Sequence, residues 1–549
     1  MQAKKLRLLL AISLGLHYLC NMNAPKFKYP IGIQTFEKIR EGGYIYADKT
    51  GYVYRLAQQF QFVFLSRPRR FGKSLLLSTM RSYFEGRRDL FEGLEASRLE
   101  TDWVQYPVLN ISLATAKGGT IENLQEMVGL QLRRLEEKYG IERIDNGLGA
   151  RLETLITGCA KKYGKKVVVL IDEYDAPLLT VMHQPERLQE MRMALRAFYS
   201  PLKDCDEWLR FVFITGISKF SQLSSHTPTR THGWTFSELN NLKRITMVPE
   251  YSAICGITEQ ELHEQWGDAV ADMAASMGIT TEEAYRQLKE KYDGYHFAED
   301  MTDVYNPFSL LNALVDRRIK DHWFETGTPT VLVNMLKKFG TDITRLDGSM
   351  ARSPEFDAPT EQMKSVLPLF FQSGYLTIKD YDQDTDTYTL GFPNNEVYQG
   401  LMDALVPYYV WDDTLTTSNS IVDMYRAIRA GDLDEMLERL KAFLSSIPYA
   451  EGATTEGHFQ QLLYVVFSLM GRYLLTEVRT ARGRMDVVWQ SRTDVYVIEL
   501  KIDKPAQKAL EQIDEKGYMI PFSYDGRQLH KIGLSFSTKT RTIEEWVMA

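Results

Sequence analysis

Cysteine is scarce in this chain: 549 residues contain four, and no two of them form a Cys-x-x-Cys pair. Zinc sites and disulfide frameworks need clustered cysteines, so this spacing argues against both. It also fits a reducing cytoplasm, which is where we expect the protein. The four are scattered along the chain, at Cys20, Cys159, Cys205 and Cys255.

A net positive charge is also lacking, because 65 lysines and arginines face 72 aspartates and glutamates. The formal charge of −7 gives the whole molecule no attraction for nucleic acid, so any such contact must come from local basic patches. The 44% hydrophobic and 25% charged fractions are those of a soluble globular protein. A chain of this length predicts two to four domains.

Long hydrophobic runs are missing, apart from a short one near the N-terminus. Residues 8–19 are apolar and follow a basic stretch at 4–7, as in a secretory signal. The run is shorter than the roughly 20 residues that a membrane-spanning helix takes, and no small-x-small cleavage site precedes Cys20. We interpret residues 1–23 as an upstream extension or a misassigned start, with Met22 as the true start. Export or membrane attachment is the alternative.

From Phe60 onward, short apolar runs alternate with amphipathic helical patterns, such as 127–139 and 148–163, the latter stopped by Gly164. This alternation predicts a mostly parallel sheet with helices on both faces, in a domain over 24–257. Buried strands are predicted at 62–65, 108–111, 167–171, 211–215 and 245–248.

The later part of the chain predicts three further regions, so the fold class is α/β multidomain. Residues 258–350 read as a helical lid, in which Thr258 and Glu261 have the spacing of a capping box. Residues 351–416 read as a winged-helix-like module, with a helix that leads through Gly374 into two strands around a polar turn at 382–386. Residues 417–549 read as a C-terminal α/β domain that ends in the order helix, strand, strand, helix, strand.

The first predicted strand runs into a tight loop and a helix that begins at Gly72-Lys73-Ser74. A loop at such a junction aims backbone N–H groups and the positive end of the helix at phosphate oxygens. We expect Arg70, Gly72 and Lys73 to bind ATP and Ser74 to ligate Mg²⁺. Arg67 stands where the strict P-loop pattern has glycine. A basic strand-to-helix turn is the other interpretation.

A second element supports the nucleotide site. The apolar strand at 167–171 ends in Asp172 and Glu173, at the usual distance after a Gly-Lys-Ser loop. We expect Asp172 to hold magnesium and Glu173 to polarise the attacking water, although acids at a strand end also cap helices. The next strand ends in Thr215, which we expect to sense the γ-phosphate, with Ser218 as the other candidate.

Two predicted strands near the C-terminus carry Asp486 and then Glu499-x-Lys501. Residues two apart on a strand share a face, so Glu499 and Lys501 point the same way. We predict that Asp486 and Glu499, with Glu456 from the preceding helix, hold Mg²⁺ or Mn²⁺ at a nuclease site, where Lys501 orients the attacking water. This pattern is typical of the PD-(D/E)XK, restriction-endonuclease-like fold.

The helix after these strands presents Gln512 and Lys516 four residues apart, on one face. Basic residues around the strands predict a surface that follows nucleic-acid phosphates, or an ordinary solvated face. They are Arg479, Arg482, Arg484, Lys501, Lys504 and Lys508.

Several motifs together resemble the AAA-ATPase-like proteins common in anaerobic gut bacteria. The motifs are YADKT (46–50), RPRRFGKS (67–74), IDEYDAPL (171–178), TGISKF (215–220), YDGYHF (292–297) and YNPFS (305–309). The resemblance runs from about Pro30 to the C-terminus and implies a P-loop ATPase core followed by a PD-(D/E)XK nuclease-like domain. The chain departs from the family at 225–235, which we interpret as a loop insertion beside Thr215.

This domain pair predicts an ATP-dependent nuclease in which nucleotide state controls the access of DNA or RNA to the C-terminal site. The alternative is a nucleotide-switched interaction protein whose C-terminal fold is inert. P-loop ATPases often use an arginine from a neighbouring subunit, so the expected partners include a second copy of the chain. Arg230 and Arg244 are the candidates by location. We expect no membrane partner.

Overall fold

The structure is a computed structural model that describes residues 27–144, 146–219, 242–323, 329–357, 363–409, 414–446, 456–469, 474–480, 483–490, 494–524 and 526–549. It describes the backbone alone at 329–331, 406, 408–409, 414–418, 446, 456–460, 474–480, 483–486 and 490. The chain forms two compact units. Unit 1 holds the described residues up to 217 together with 242–293 and 302–320, and unit 2 holds 218–219, 294–301 and those from 321 onward. Within these ranges, no helix is both long and apolar enough to cross a membrane. The predicted extension at 1–23 lies outside them.

Unit 1 alternates strands with helices. Its helices are α1 (Phe36–Gly42), α2 (Thr50–Gln59), α3 (Lys73–Phe84), α4 (Ala96–Leu99), α5 (Ile121–Tyr139), α6 (Leu148–Tyr163), α7 (Ala176–Val181), α8 (Pro185–Tyr199), α9 (Pro201–Asp204), α10 (Glu259–Met277), α11 (Thr281–Tyr292) and α12 (Pro307–Asp316). Its strands are β1 (Phe62–Ser66), β2 (Val108–Ser112), β3 (Val167–Asp172), β4 (Leu209–Gly216) and β5 (Lys243–Arg244). Short 3-10 turns lie at Arg88–Phe91, Asp206–Trp208 and Pro249–Tyr251.

The five strands form one parallel sheet in the order β2-β3-β4-β1-β5. Every residue of β1 and β3 is buried, so both faces of the sheet are covered, as the sequence predicts. Because β4 lies between β1 and β3 and all three strands are parallel, the C-terminal ends of these three strands meet at one edge of the sheet. Leu65 pairs with Thr215, and Ile171 pairs with Ile214.

The strand predicted at 245–248 is wrong. The fifth strand is the two-residue β5 just before it, and after Ile245 donates to the Phe64 carbonyl at 3.0 Å the chain turns away. Thr246 then bonds to the end of β1 through its side chain, since its hydroxyl accepts from the Ser66 amide at 3.0 Å. These hydrogen bonds between distant parts of the chain therefore determine the backbone here, although the apolar sequence predicts a strand.

Helices α10 to α12 belong to unit 1 and pack around the buried Trp266. The predicted capping box at the start of α10 is confirmed. The Thr258 hydroxyl accepts from the Glu261 amide at 3.2 Å, and the Glu261 carboxylate accepts from the Thr258 amide at 2.8 Å. The assignment of residues 258–350 to a separate helical lid region stays a prediction.

Unit 2 begins with helices and a small sheet. Its helices are α13 (Pro329–Phe339), α14 (Ser353–Phe356), α15 (Leu367–Ser373), α16 (Asn395–Tyr409), α17 (Thr414–Arg429), α18 (Leu433–Ser446), α19 (Glu456–Leu469) and α20 (Ala506–Lys516). Its strands are β6 (Ser349–Ala351), β7 (Thr377–Asp382), β8 (Thr387–Gly391), β9 (Leu474–Thr480), β10 (Gly483–Gln490), β11 (Asp494–Ile502), β12 (Gln528–Ser537) and β13 (Thr542–Met548). Its 3-10 turns lie at Ile343–Arg345 and Ile520–Phe522.

The predicted helix and hairpin are present in the middle of the chain. Helix α15 ends at Gly374, whose φ of 84° allows the reversal into β7 and β8. These strands pair antiparallel, and β6, which the sequence did not predict, adds a third strand beside β8.

The C-terminal sheet has the order β13-β12-β11-β10-β9, parallel between β11 and β12 and antiparallel elsewhere. The predicted order of helix, strand, strand, helix, strand corresponds to α19, β10, β11, α20 and β12. Strands β9 and β13 were missed. Both are edge strands, which tolerate polar side chains and so lack a strong apolar signal.

Candidate functional site

The loop between β1 and α3 has the backbone that a phosphate-binding turn requires. Arg70 and Gly72 both adopt positive φ angles, of 69° and 89°, and Gly72 is the residue before α3. Lys73 and Ser74 are the first two residues of that helix. The free N–H groups of a helix start, with its positive dipole, favour an anion at this point.

Arg67 occupies the loop position where the strict P-loop pattern has glycine. Its guanidinium is buried, and it donates to the carbonyls of Ser66 at 3.1 Å, Thr246 at 2.8 Å and Tyr251 at 3.0 Å. These bonds fix the base of the loop to the 246–251 segment. Arg67, which departs from the strict P-loop pattern, therefore anchors the loop.

Lys73 lies inside the loop, only 7% exposed. Its ammonium donates to the carbonyls of Arg67 at 2.9 Å and Pro68 at 2.8 Å. Burial lowers the pKa of Lys73, and the nearby Asp172 carboxylate opposes that shift. The ammonium thus occupies a desolvated position at the phosphate-binding loop.

Ser74 and Asp172 come together as the sequence predicts. The Ser74 hydroxyl donates to Asp172 Oδ2 at 2.6 Å. Burial raises the pKa of Asp172, while the hydrogen bond from Ser74 and the charge of Lys73 lower it. A hydroxyl and a carboxylate are hard oxygen ligands, so this pair fits a magnesium ion beside a phosphate.

Glu173 follows in a left-handed conformation, with φ of 47°. Its carboxylate lies 3.4 Å from the ammonium of Lys117, a residue that the sequence analysis did not single out. The Thr215 hydroxyl, at the end of β4, is buried and has no hydrogen-bond partner among the described residues. Among the described residues, Thr215 therefore presents an unbonded hydroxyl near the strand end that adjoins the loop.

The remaining arginines differ in their surroundings. The guanidinium of Arg70 lies 4.6 Å from the ring centroid of Phe308, on α12. Arg244 is exposed on β5. Arg230 and the predicted insertion at 225–235 lie outside the described residues.

A cleft of about 550 Å³, open solvent included, lies beside the loop within unit 1. Its lining is mostly apolar: Pro30, Ile45, Tyr46, Ala47, Lys49, Phe71, Gly72, Leu75, Leu76, Ile254, Cys255, Gly256, Ile257, Trp266, Pro307 and Leu311. The charged member of this lining is Lys49, whose ammonium donates to both oxygens of Glu261 at 2.5 and 2.7 Å. The sequence did not predict the cleft, although the YADKT motif at 46–50 supplies part of its lining.

In unit 2, Glu499 and Lys501 point the same way, as predicted. The Lys501 ammonium lies 3.2 Å from Glu499 Oε1. Gln512 of α20 joins them, since its amide donates to Glu499 and its oxygen accepts from Lys501 at 2.5 Å. Glu499 is only 2% exposed, so this is a buried and hydrogen-bonded charge cluster.

The other metal ligands predicted for this site belong to β10 and α19. The backbone of β10 pairs with β11 so that Val487 faces Ile498, which sets position 486 opposite Glu499. The side chain of Asp486 lies outside the described residues, as does that of Glu456 at the start of α19. Lys516 is exposed on α20. Among the described side chains, no three metal-binding groups cluster.

Comparison with known proteins finds family matches for an N-terminal and a C-terminal part of the chain. The family described as Predicted AAA-ATPase matches residues 30–225, and the PD-(D/E)XK nuclease superfamily matches residues 454–546. A protein of Azotobacter chroococcum mcd 1, named "Uncharacterized protein in vnfD 5'region", is 36% identical over 535 residues, which covers 95% of this chain and 98% of that protein. The solved Aeropyrum pernix ORC2 protein (ADPNP-ADP complexes) matches 68% of this chain and 98% of its own, at 12% identity and a TM-score of 0.25, too low to support an argument. This chain therefore belongs to the AAA-ATPase-like family, with a predicted AAA-ATPase domain followed by a PD-(D/E)XK nuclease superfamily domain.

Proposed function

We propose that this protein binds and hydrolyses ATP in unit 1, and that its nucleotide state controls a metal-dependent nuclease in unit 2 that acts on DNA or RNA. One observation carries the first part. Ser74 and Asp172, 98 residues apart in the chain, meet at 2.6 Å beside the phosphate-binding loop. We place this activity in the cytoplasm, which supplies ATP and magnesium.

Lys73 and the start of α3 bind the phosphates. The two carbonyls that Lys73 contacts are neutral, so anionic β- and γ-phosphate oxygens compete well for its ammonium. Burial strengthens this attraction, because the effective dielectric constant around Lys73 is low. Gly72 allows the loop backbone to approach the phosphates closely.

Ser74 and Asp172 would hold a magnesium ion, which would supply charge neutralisation at the transferred phosphoryl group. Glu173 accepts a hydrogen bond from the attacking water and orients it. Lys117 holds the Glu173 carboxylate until the water is in place. Thr215 offers to the γ-phosphate a hydroxyl that has no hydrogen-bond partner among the described residues.

The apolar cleft takes the nucleobase. Gly72 and Leu75 belong to both the loop and the cleft lining, so a nucleotide bound through its phosphates reaches the cleft with its base. An apolar, concave site with few polar groups is the usual environment for a flat heterocycle. The base thereby contacts Trp266 of α10.

The second site cleaves phosphodiester bonds. Glu499, with Asp486 and Glu456, would hold a divalent cation, which would supply water activation and charge neutralisation at the phosphate. Lys501 orients the water, and Gln512 keeps both Glu499 and Lys501 in one arrangement. Basic residues near these strands follow the nucleic-acid backbone.

The test measures ATP hydrolysis and cleavage of single-stranded DNA, double-stranded DNA and RNA with Mg²⁺ or Mn²⁺. Each substrate is incubated with and without ATP. The parent is compared with Lys73→Met and Glu499→Gln, and the matched controls are Lys38→Met and Glu511→Gln, which alter exposed residues. Lys73→Met should lose hydrolysis, and Glu499→Gln should lose cleavage alone.

Two outcomes would redirect the assignment. ATP hydrolysis that survives Lys73→Met contradicts the nucleotide site. Hydrolysis that depends on Lys73, without cleavage of any substrate under any condition, instead favours a nucleotide-switched interaction protein with an inert C-terminal fold.

A further inference from the structure

Arg70 lies on the exposed side of the phosphate-binding loop, in the left-handed backbone conformation described above. Its guanidinium lies over the half-buried ring of Phe308, 4.6 Å from the ring centroid. No carboxylate among the described residues forms an ion pair with it. The loop therefore carries two cations of different kinds, since Lys73 is buried against carbonyls and Arg70 rests on a ring at the surface.

Hydrogen bonds within unit 1 place the ring of Phe308 beside the loop. The residue before Ile257 donates its amide to the carbonyl of Phe71 in the loop at 3.2 Å. Ile257 then pairs with Tyr305 through N–O distances of 2.7 and 3.3 Å. Asn306 caps α12, because its side-chain oxygen accepts from the Phe308 amide at 3.0 Å. The YNPFS motif thus presents its phenylalanine to Arg70.

The hold of the ring on the guanidinium is weak. A cation over an exposed aromatic ring gains about two- to fivefold in an equilibrium constant. A hydrogen bond between a guanidinium and a phosphate oxygen is charge-assisted and gains about 10- to 100-fold. A phosphate oxygen within reach of Arg70 therefore takes the guanidinium away from Phe308.

The γ-phosphate is the group that fits this exchange. Lys73 and the start of α3 lie on the inner side of the loop, where ATP and ADP alike present a β-phosphate. The γ-phosphate is the terminal group of the triphosphate and carries most of the additional negative charge. The exposed Arg70 can swing towards it, because the ring is the weaker partner.

We propose that Arg70 is a specificity-determining residue that distinguishes a nucleoside triphosphate from a diphosphate, and that Phe308 holds it when no γ-phosphate is bound. This inference rests on the proposed binding of ATP. With ADP the guanidinium stays on the ring and links the loop to α12. With ATP it pairs with the γ-phosphate and that link is released, so the phosphate state of the nucleotide reaches α12.

The test measures binding by calorimetry with the full chain in Mg²⁺. The ligands are ADP and the non-hydrolysable ATP analogue with a β,γ-imido bridge. The variants are Arg70→Met, Phe308→Leu and the double variant. Arg88→Met is the control for loss of an exposed arginine. Phe60→Leu is the control for loss of a half-buried ring under a cation, because Lys243 lies 5.7 Å from its centroid.

Arg70→Met should weaken binding of the triphosphate analogue by about 10- to 100-fold and leave binding of ADP unchanged. Phe308→Leu should strengthen binding of the analogue by about two- to fivefold, because the ring no longer competes for the guanidinium. The double variant should show no such gain. Damage to the fold would weaken both ligands, so a gain for one ligand separates the proposed role from a structural one.

Equal losses for both ligands in Arg70→Met would overturn the inference, as would unchanged binding. Weaker binding of the analogue in Phe308→Leu, or a gain that persists in the double variant, would do the same. ATP hydrolysis is measured on the same preparations. A parent that binds both ligands and hydrolyses no ATP contradicts the proposed ATPase, and the affinities still decide the role of Arg70. A parent that binds neither ligand overturns both.

Discussion

The two candidate sites satisfy their charged side chains in different ways. In unit 1, the ammonium of Lys73 donates to two neutral backbone carbonyls. In unit 2, Glu499 accepts from the cationic Lys501 and from the amide of Gln512. A phosphate easily outcompetes a carbonyl for an ammonium, whereas a metal ion must compete with a lysine for the Glu499 carboxylate. We therefore expect the proposed nucleotide site in unit 1 to bind its ligand with little rearrangement, whereas the proposed metal site in unit 2 has to rearrange before a cation binds.

The strongest test of this contrast is Asp172→Asn, which should lower kcat for ATP hydrolysis by about 1,000-fold, equivalent to about 4 kcal/mol. The variant should nevertheless be at least as stable as the parent near neutral pH in EDTA. Burial raises the pKa of Asp172, so the charged carboxylate costs stability in the folded state. Thermal unfolding and ATPase kinetics measure the two effects.

The sign of the pH dependence follows from that raised pKa. The stabilising contribution of Asp172 is fully present below its unfolded-state pKa of about 3.9, and it is lost as the pH rises through the higher folded pKa. The stability advantage of Asp172→Asn should therefore shrink on acidification. A variant less stable than the parent at neutral pH, with Asp204→Asn unchanged, would contradict this account.

The next largest effect concerns stability within unit 1. Glu136 and Arg151 form a buried bidentate pair, with both N–O distances at 2.8 Å. Glu136→Gln leaves a buried guanidinium without its countercharge and should cost about 3–5 kcal/mol in the free energy of unfolding. Urea unfolding should show the loss in unit 1 alone, and Glu137→Gln, on the exposed side of α5, is the control. An equal loss in both variants would mean that the buried pair is not the cause.

Gln512→Ala examines the cluster in unit 2. Removing the amide that holds Glu499 and Lys501 should weaken metal binding, and with it cleavage, by about 10- to 100-fold. Gln507→Ala, exposed on the same helix, should change neither. Titration of cleavage with Mn²⁺ provides the measurement. Tighter metal binding in Gln512→Ala would show that the amide restrains the carboxylate and does not support it.

The smallest effect belongs to Lys117→Ala. Lys117 is half exposed and its ammonium is 3.4 Å from Glu173, so the pair is screened by solvent and salt. We expect less than about a fivefold change in kcat, decreasing as ionic strength rises. Steady-state rates at low and high salt check this. A larger, salt-independent loss would place Lys117 at the reacting phosphate.

The parts of the fold that the sequence predicts well are those with local signals. Apolar strands ending in Gly-Lys-Ser or in Asp-Glu carry their own pattern, and the Ser74–Asp172 contact follows from a parallel sheet. Sequence does not show which distant side chains complete such a site. Lys117 reaches Glu173 across 56 positions, and nothing around Lys117 distinguishes it from a surface lysine.

The errors have physical causes as well. The prediction of a strand at 245–248 failed because Thr246 bonds to Ser66, the last residue of β1, through its side-chain hydroxyl and not through a backbone ladder. Strands β9 and β13 were missed because edge strands need little apolar character. In unit 2, the Glu499–Lys501 contact follows from the two-residue strand period, and the roles of Asp486 and Glu456 stay predictions.

Arg67 has a consequence for how the chain is made. One of its guanidinium hydrogen bonds goes to the carbonyl of Tyr251, 184 positions later. At about 5–20 residues per second, roughly 10 to 40 s separate the synthesis of these two residues on the ribosome. During that interval the nascent chain carries Lys73 in a loop whose base is not yet fixed. We therefore expect the base of the loop, on which the proposed ATP binding depends, to be fixed only after the polypeptide has been translated past Tyr251.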